Sequence, residues 1–338
     1  MMKDFPKVAV VILNWNGINF LKKFLPSVCA STYPHLKIIV GDNASTDDSV
    51  QFLTDKYPKI RVISNDQNYG FAGGYNRILA QLDCDYFVLL NSDVEVQQGW
   101  IEPVIRLMES DPKIAAAQPK ILSYSQKHLF EYAGAAGGYL DLYGYPFCRG
   151  RIFDTLEADN GQYNTASEIF WASGAALFIR RSQWIEMGGL DEDFFAHMEE
   201  IDLCWRLKNR GYKIMYCPES SVYHVGGGTL NAENPYKTYL NFRNNLVMLQ
   251  KNLPLSRSVF IIFIRFWLDL LSFIKFLLDG KPKNALAINK AHIYFLSNIF
   301  KNRKNTVTNT SKFNKTGLFN GSIVWEYFVK NKKVFTGL

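Results

Sequence analysis

The sequence lacks most of the signatures that would settle its chemistry at once. It holds only five cysteines in 338 residues, Cys29, Cys84, Cys148, Cys204 and Cys217, with no CxxC and no close pair. A chain this long builds its core without covalent staples, so the thiols read as reduced and a disulfide scaffold is excluded. A structural zinc site has no ligand cluster to occupy. The run NYGFAGGYN (68–76) places Gly70, Gly73 and Gly74 at the wrong spacing for GxGxxG, and no Gly-Lys-Ser/Thr follows. Both the dinucleotide fingerprint and the P-loop are thereby excluded, and only close backbone approach to a bulky or anionic ligand remains. The one apolar run near the start, Val8–Leu13, is too brief for a signal-peptide core and gives way to Asn-Trp-Asn-Gly. It reads as a buried strand, and the expectation is a cytoplasmic protein.

Acidic residues are scarce in one part of the chain only. Residues 246–338 carry 15 Lys+Arg against 3 Asp+Glu, whereas residues 1–245 carry 23 against 28. The formal net charge of +7 is therefore the sum of an acidic front and a basic tail. An acidic front is a poor surface for a phosphate backbone, so nucleic acid is excluded as a partner. No Gly/Ser-rich or Pro-rich linker divides residues 1–245. The expected organisation is one domain over 1–245 and a helical, basic extension over 246–338.

Within the front part, four apolar runs rich in β-branched residues each end in a polar turn. They are Val8–Leu13 before NWNG, Leu36–Val40 before GDNASTDDS, Ile60–Ser64 before NDQNYG, and Tyr86–Leu90 before NSDVE. Helical stretches separate them, including Ile18–Ala30 and Asp47–Lys56. Unbroken strands alternating with helices predict a mostly parallel α/β sheet covered on both faces. Ligands bind beyond the carboxyl ends of such strands. The four turns collect Asn14, Asn16, Asp42, Asn43, Asn68, Asn91 and Asp93 at those ends.

Two acidic groupings carry chemistry. Asn91-Ser92-Asp93 follows a strand directly: it is either an Asx turn or the hard oxygen site that a divalent cation chelated by a diphosphate requires. Further on, acids at 191, 192, 193, 199, 200 and 202 put six carboxylates within twelve residues, at the start of an apparent helix over Leu203–Asn209. Acids in a first helical turn complement the macrodipole, while crowded carboxyls can be poised as a general base. His224, in VYHVGGG, reads as a loop histidine, either a surface group or a ligand.

These stretches together resemble the family 2 glycosyltransferases of GT-A fold, in particular the rhamnosyltransferase-like and galactofuranosyltransferase-like branch. The matching segments are VVILNWNG, VGDNASTDDS, NDQNYGFAGGYN, VLLNSDVE, WASGAALFIRR, GGLDEDFFAHMEEIDLCWRLKNRGYKI and VYHVGGG, in the family's order across residues 7–245. The resemblance implies a Rossmann-like sheet and transfer of a sugar, with inversion, from a nucleotide diphosphate donor to a saccharide or lipid-linked acceptor in cell-surface polysaccharide synthesis. It implies that Asn14, Asn16, Asp42, Asn68, Gly73, Asn76, Asn91 and Ser92 line the donor, and that Asp93 and His224 hold Mg²⁺ or Mn²⁺. Trp171 and Asp191 would stand on the acceptor side. The family usually has Glu-Asp where this chain has Glu199-Glu200, so Glu200 is the expected base, its carboxylate one methylene further out, with Glu199 a second candidate. By the same resemblance dTDP-rhamnose is the first donor expected, with UDP-galactofuranose, UDP-hexoses and GDP-sugars open. A sugar nucleotidyltransferase would need a Gly-rich basic loop after the first strand, and NWNG is not one. A non-catalytic carbohydrate-binding protein is opposed by the retained Asp93, Glu199 and His224.

In the extension, 16 of the 20 residues over 259–278 are apolar, with Arg265, Asp269 and Lys275 among them. Those charges oppose a spanning helix. Ser258, Arg265, Asp269, Ser272 and Asp279 fall on one helical stripe, predicting an amphipathic helix that lies in the membrane interface or packs in a helical hairpin with Ala285–Phe300. Its broad apolar face is expected at the inner surface of the cytoplasmic membrane as a peripheral contact, or else against a second copy or the front domain. The basic run 301–315 would accompany it on anionic head groups.

Overall fold

A strand whose residues are apolar on both sides must be covered on both faces, and the apolar runs build a sheet of that kind. The computed structural model describes residues 5–226, 234–303 and 313–338. Its strands are β1 (Val8–Asn14), β2 (Leu36–Asp42), β3 (Arg61–Ser64), β4 (Tyr86–Asn91), β5 (Val94–Val96), β6 (Ile114–Ser123), β7 (Gly138–Asp141), β8 (Pro146–Cys148), β9 (Arg151–Ile152), β10 (Thr155–Leu156), β11 (Ser167–Ile169), β12 (Ala176–Arg180), β13 (Lys213–His224) and β14 (Leu318–Phe319). The helices are α1 (Ile18–Cys29), α2 (Ser49–Lys56), α3 (Gly70–Leu79), α4 (Ile101–Glu109), α5 (Arg181–Met187), α6 (Glu199–Asn209), α7 (Pro235–Asn252), α8 (Leu255–Leu278), α9 (Pro282–Ser297), α10 (Ile299–Arg303) and α11 (Ile323–Phe328).

The main sheet runs β11-β13-β6-β12-β4-β1-β2-β3, with β5 added alongside β13. Strands β3, β2, β1 and β4 are parallel neighbours, and β12 lies antiparallel between β4 and β6. Alternation along β1 divides the core: Ala9 and Val11 pack into one face, Val8, Val10 and Ile12 into the other. Because β13 is parallel to β6, and β6 runs with β4, the carboxyl ends of β1, β2, β4 and β13 share one edge. The amino end of the antiparallel β12, and the WASG segment before it, lie at that edge too.

The α/β layering, the parallel-rich sheet and the first four strands stand as the sequence predicts, within one or two residues. Four features differ. His224 is not in a loop: β13 continues past a register shift between Cys217 and Ser221 and ends on it. A second sheet of order β10-β9-β8-β7-β14 arises from short segments with no clear periodicity. The expected boundary between 245 and 246 falls inside α7, whose Leu246, Met248 and Leu249 share a core with Leu89 and Leu177. Beyond it β14 returns to pair in parallel with β7, so the extension is woven into the front part.

The fourth difference concerns α8, which takes the hairpin arrangement with α9. The Ser258, Arg265 and Asp269 part of its polar stripe faces inward, while Asp279 at its end stays exposed. Arg265 donates to the Tyr143 carbonyl (3.1 Å) and to Asn245 and Asp269, and Asp269 also meets His292 at 3.0 Å and the Tyr145 hydroxyl at 3.2 Å. Among the described residues no helix is long and apolar enough to cross a membrane. Of the basic run 301–315, residues 304–312 lie outside the described residues, as do Gly227 and Gly228.

Candidate active site

The β1 and β2 ends meet first. Asn14 is fully buried and donates to Asp42 (3.1 Å) and to the Ser45 hydroxyl (3.1 Å); Asp42 in turn accepts the Ser45 amide at 2.9 Å. Asn16, in the left-handed region at φ 50°, accepts the Thr46 and Asp47 amides and pins the loop after β2. Between them Trp15 stands 46% exposed, an aromatic face at the edge that the sequence reading left unassigned. Asn43 donates to Asn68 (2.8 Å) and the Gly70 carbonyl (3.0 Å), and Asn68 accepts the Gly70 amide, shaping the entry to α3.

The glycines of α3 serve the chain's own packing. Gly70 has φ +70°, and a Cβ there would stand 2.5 Å from the Phe195 carbonyl oxygen. A Cβ on Gly73 would fall 2.9 Å from Tyr69 Cβ. The close approach expected of a ligand is thus made by residues 192–195 and Tyr69. Asn76, expected at the donor, holds the same segment: it donates to the Leu190 carbonyl (2.8 Å) and accepts the Leu190 amide (3.0 Å).

At the end of β4 the geometry becomes chemically pointed. β13 pairs His224 with Val94, which brings His224 Nε2 to 3.2 Å from Asp93 Oδ1 and 3.4 Å from Asn91 Nδ2. The other ring nitrogen, Nδ1, lies 3.1 Å from Glu131, a buried carboxylate that sequence reading missed. All three groups are buried. Burial disfavours the imidazolium, but the two flanking carboxylates outweigh it and push the His224 pKa up to about 10. Burial likewise acts to raise the Asp93 carboxyl, and His224 reverses it, holding Asp93 below the usual range. Ser92 is half-buried near Asn14, across the space that Gly17 leaves open.

A carboxylate and an imidazole converging at a strand end fit a divalent cation that takes its other ligands from a diphosphate and water, with the proton on His224 Nε2 given up when the cation binds. Glu131 lies behind the ring, where an acid orients a ligating histidine. Among the described residues no set of three His, Cys, Asp or Glu side chains could chelate an ion alone.

The second grouping starts α6. Glu199 is buried and Glu200 half-buried, and one oxygen of each is sequestered without a hydrogen-bond partner among the described residues. His197 Nε2 is in the same position. Burial raises both carboxyls, that of Glu200 to about 7, and the Glu200 charge raises Glu199 further. Burial, then Lys237, pushes His197 down to about 4. Just before them Phe195, His197 and Met198 all have positive φ (62°, 69° and 74°), a strained run of non-glycine residues. Helix α7 holds it. Asn244, fully buried, donates to the carbonyls of Phe194 (3.0 Å), Ala196 (2.9 Å) and His197 (2.7 Å), and Arg243 donates to those of Asp193 and Phe194. The Phe195 carbonyl accepts the Phe71 amide at 2.7 Å, which ties the run to α3 at the same edge.

The two residues expected at the acceptor side make their contacts within the chain. Trp171 is 6% exposed, its ring covered by Gly138 and its Nε1 donating to the Tyr139 carbonyl at 2.9 Å. Asp191 caps a short 3₁₀ turn and pairs with Lys251, which also reaches Asp202 at 3.2 Å.

A parallel-rich sheet with a carboxylate and histidine at its edge, and buried acids opening a helix beside them, defines the GT-A class of glycosyltransferase fold. Residues 9–170 match the family model described as glycosyl transferase family 2. It is similar to the N-acetylglucosaminyl-diphospho-decaprenol L-rhamnosyltransferase of Mycobacterium tuberculosis, 28% identical over 235 residues covering 64% of this chain and 75% of the relative. It is also similar to rhamnosyltransferase WbbL of Escherichia coli, 25% identical over 224 residues, covering 64% and 83%. Among solved structures, GalNAc-T7 with UDP, GalNAc and Mn²⁺ superposes with TM-score 0.55 at 17% identity, over 74% of this chain and 48% of that one. The mannosyltransferase PcManGT of Pyrobaculum calidifontis, in complex with GDP-Man and Mn²⁺, gives 0.52 at 13%, over 91% and 85%.

Proposed function

We propose that the protein transfers a sugar, with inversion, from a nucleotide diphosphate donor to a saccharide or lipid-linked acceptor used in cell-surface polysaccharide synthesis, with dTDP-rhamnose as the first donor to test. The observation that carries this reading is the pairing of two unlike groups at one sheet edge: the Asp93–His224 contact, suited to a diphosphate-bound cation, and the partnerless Glu199–Glu200 oxygens at the start of α6. The rhamnosyl chemistry named for the mycobacterial and Escherichia coli relatives supports the choice of donor.

In this reading Asp93 and His224 hold Mg²⁺ or Mn²⁺, which when bound supplies positive charge beside the departing diphosphate. Asn14 and Asp42 are assigned to the side of the base and ribose, where their mutual hydrogen bond holds the ends of β1 and β2 together. Glu200, whose burial holds its pKa near neutrality, takes the proton of the acceptor hydroxyl. The acceptor oxygen forms its bond to the anomeric carbon as the bond from that carbon to the diphosphate oxygen breaks, and the electron pair leaves with the nucleoside diphosphate.

The test is a panel of dTDP-, UDP- and GDP-sugars scored for thermal stabilisation with Mn²⁺, followed by donor turnover. Asp93→Ala is expected to lose metal-supported donor binding; Glu200→Gln is expected to bind donor and fail to transfer. Wild-type transfer by Glu200→Gln would remove Glu200 as base and leave Glu199. No stabilisation by any member of the panel would overturn the donor reading.

A further inference from the structure

Helix α8 is inside out. Its buried stripe is Ser258, Ile261, Ile262, Arg265 and Asp269, so the charged pair of the sequence pattern faces protein. The opposite stripe is apolar and uncovered: Phe260 is 63% exposed, Phe263, Trp267 and Leu271 are each 61%. Helix α9 continues the face with Ile293 at 64%, and Phe300 beyond it stands at 82%. Large side chains exposed together on two adjacent helices form the kind of apolar patch that marks an interaction surface.

Charge identifies the occupant. Arg257, Lys283 and Lys290 are exposed on α8 and α9, while Lys275 and Lys301 beside them are paired with Asp279 and Asp193. The carboxylates of α8 and its end are already engaged: Asp269 is buried against Arg265 and His292, and Asp279 pairs with Lys275 at 2.5 Å. A second copy docked through the same patch would set cations against cations, because a two-fold contact is self-complementary. An anionic lipid leaflet offers the complement of both features, an apolar interior and a negative head-group layer. Trp267 stands mid-stripe, an amphipathic ring suited to that boundary.

We infer that α8 and α9 lie in the plane of an anionic membrane surface, with Phe260, Phe263, Trp267, Leu271, Ile293 and Phe300 inserted among the acyl chains and the lysines over the head groups. Neither helix crosses the bilayer. The inference rests on the exposure and charge of this face alone and does not require the transfer reaction.

The test uses the full chain in vesicle co-sedimentation, with phosphatidylglycerol-containing and pure phosphatidylcholine vesicles, and no donor or acceptor. Wild type is expected to partition onto the anionic vesicles at least about tenfold more strongly, and added salt should reduce the difference. The double variant Trp267→Asp/Leu271→Asp should lose binding by about tenfold or more with its melting temperature retained. Should that variant not fold, Lys283→Glu/Lys290→Glu, confined to exposed residues, decides: it should lose the preference for anionic vesicles. Wild type left in the supernatant with anionic vesicles overturns the inference. So do variants that all bind like wild type, or a dimer that Trp267→Asp/Leu271→Asp converts to monomer with no vesicle binding in either.

Discussion

Replacing Asn244 by Ala removes the clamp on the strained run before Glu199 and Glu200. The side chain is fully buried, and its two amide hydrogens serve three carbonyls, those of Phe194, Ala196 and His197, at 2.7–3.0 Å. Its oxygen accepts Arg243 Nε at 2.7 Å. A typical buried hydrogen bond contributes about 1 kcal/mol net, and an orphaned polar group costs about 1–3 kcal/mol. Part of this is returned, because the left-handed residues cost about 1–3 kcal/mol each and can relax once released. The expected loss of stability is therefore about 2–4 kcal/mol, measured by urea unfolding. The diagnostic effect is on turnover. Relaxation of 195–198 swings the first turn of α6, so kcat should fall by more than about tenfold under conditions where the variant is folded, with donor affinity at the Asp93 end little changed. Asn245→Ala is the control: Asn245 is equally buried on α7 but donates to the Gly144 carbonyl and accepts from Arg265, remote from the run. It should lose comparable stability and keep its turnover. Wild-type turnover in Asn244→Ala, or equal losses in both variants, refutes the clamp.

Transfer by the wild type should rise with pH through about 7, as Glu200 loses its proton, and stopped assays over pH 5–9 with buffer controls check the midpoint. The same raised carboxyls set the sign of the stability profile. Between the ordinary carboxyl range and about 7 the folded state binds more protons than the unfolded chain, so stability falls as pH rises through that window, and Glu200→Gln should flatten the slope. Glu131→Gln keeps the fold but weakens the orientation of His224; calorimetric titration should show Mn²⁺ affinity in the presence of nucleoside diphosphate lowered about 10–100-fold. Gly70→Ala places a Cβ 2.5 Å from the Phe195 carbonyl oxygen at a positive φ, and should cost at least about 2 kcal/mol in urea unfolding while shifting the same run that Asn244 holds.

The sheet edge was legible because its signal is local. Apolar runs followed by Asn- and Asp-rich turns place Asn14, Asp42, Asn91 and Asp93 at strand ends without knowledge of any other strand. The groups that complete the site depend on long-range pairing. Glu131 sits in an irregular stretch and reaches His224 only because short bridges, such as Leu122 with Phe130, fold that stretch against β6. Asn244 sits on a helix with a weak pattern and acts on carbonyls about fifty residues away in sequence, contacts that no periodicity encodes. Asn76 and Trp171 were expected at ligands through the family resemblance, and a motif match does not separate a residue that touches a ligand from one that braces the wall behind it. For α8 the spacing gave the stripes but not which one faces protein. That depended on the Tyr143 carbonyl, Tyr145, Asn245 and His292 lying beneath it, ready to satisfy Arg265 and Asp269.

The return of β14 to β7 bears on how the polypeptide is made. The small sheet closes over Phe147 and Ile152 with Ile323 and Tyr327, and the Ile323 amide reaches Asp141 across 182 residues of sequence. During synthesis that apolar surface emerges early and waits, uncovered, until the residues around 323 leave the ribosome. A fragment stopped at residue 250, the natural choice if the extension were only an anchor, would keep the whole Asp93–His224 pair and still leave this seam open. The expected outcome is an aggregating protein, whose failure would be misread as proof that the catalytic part needs a membrane.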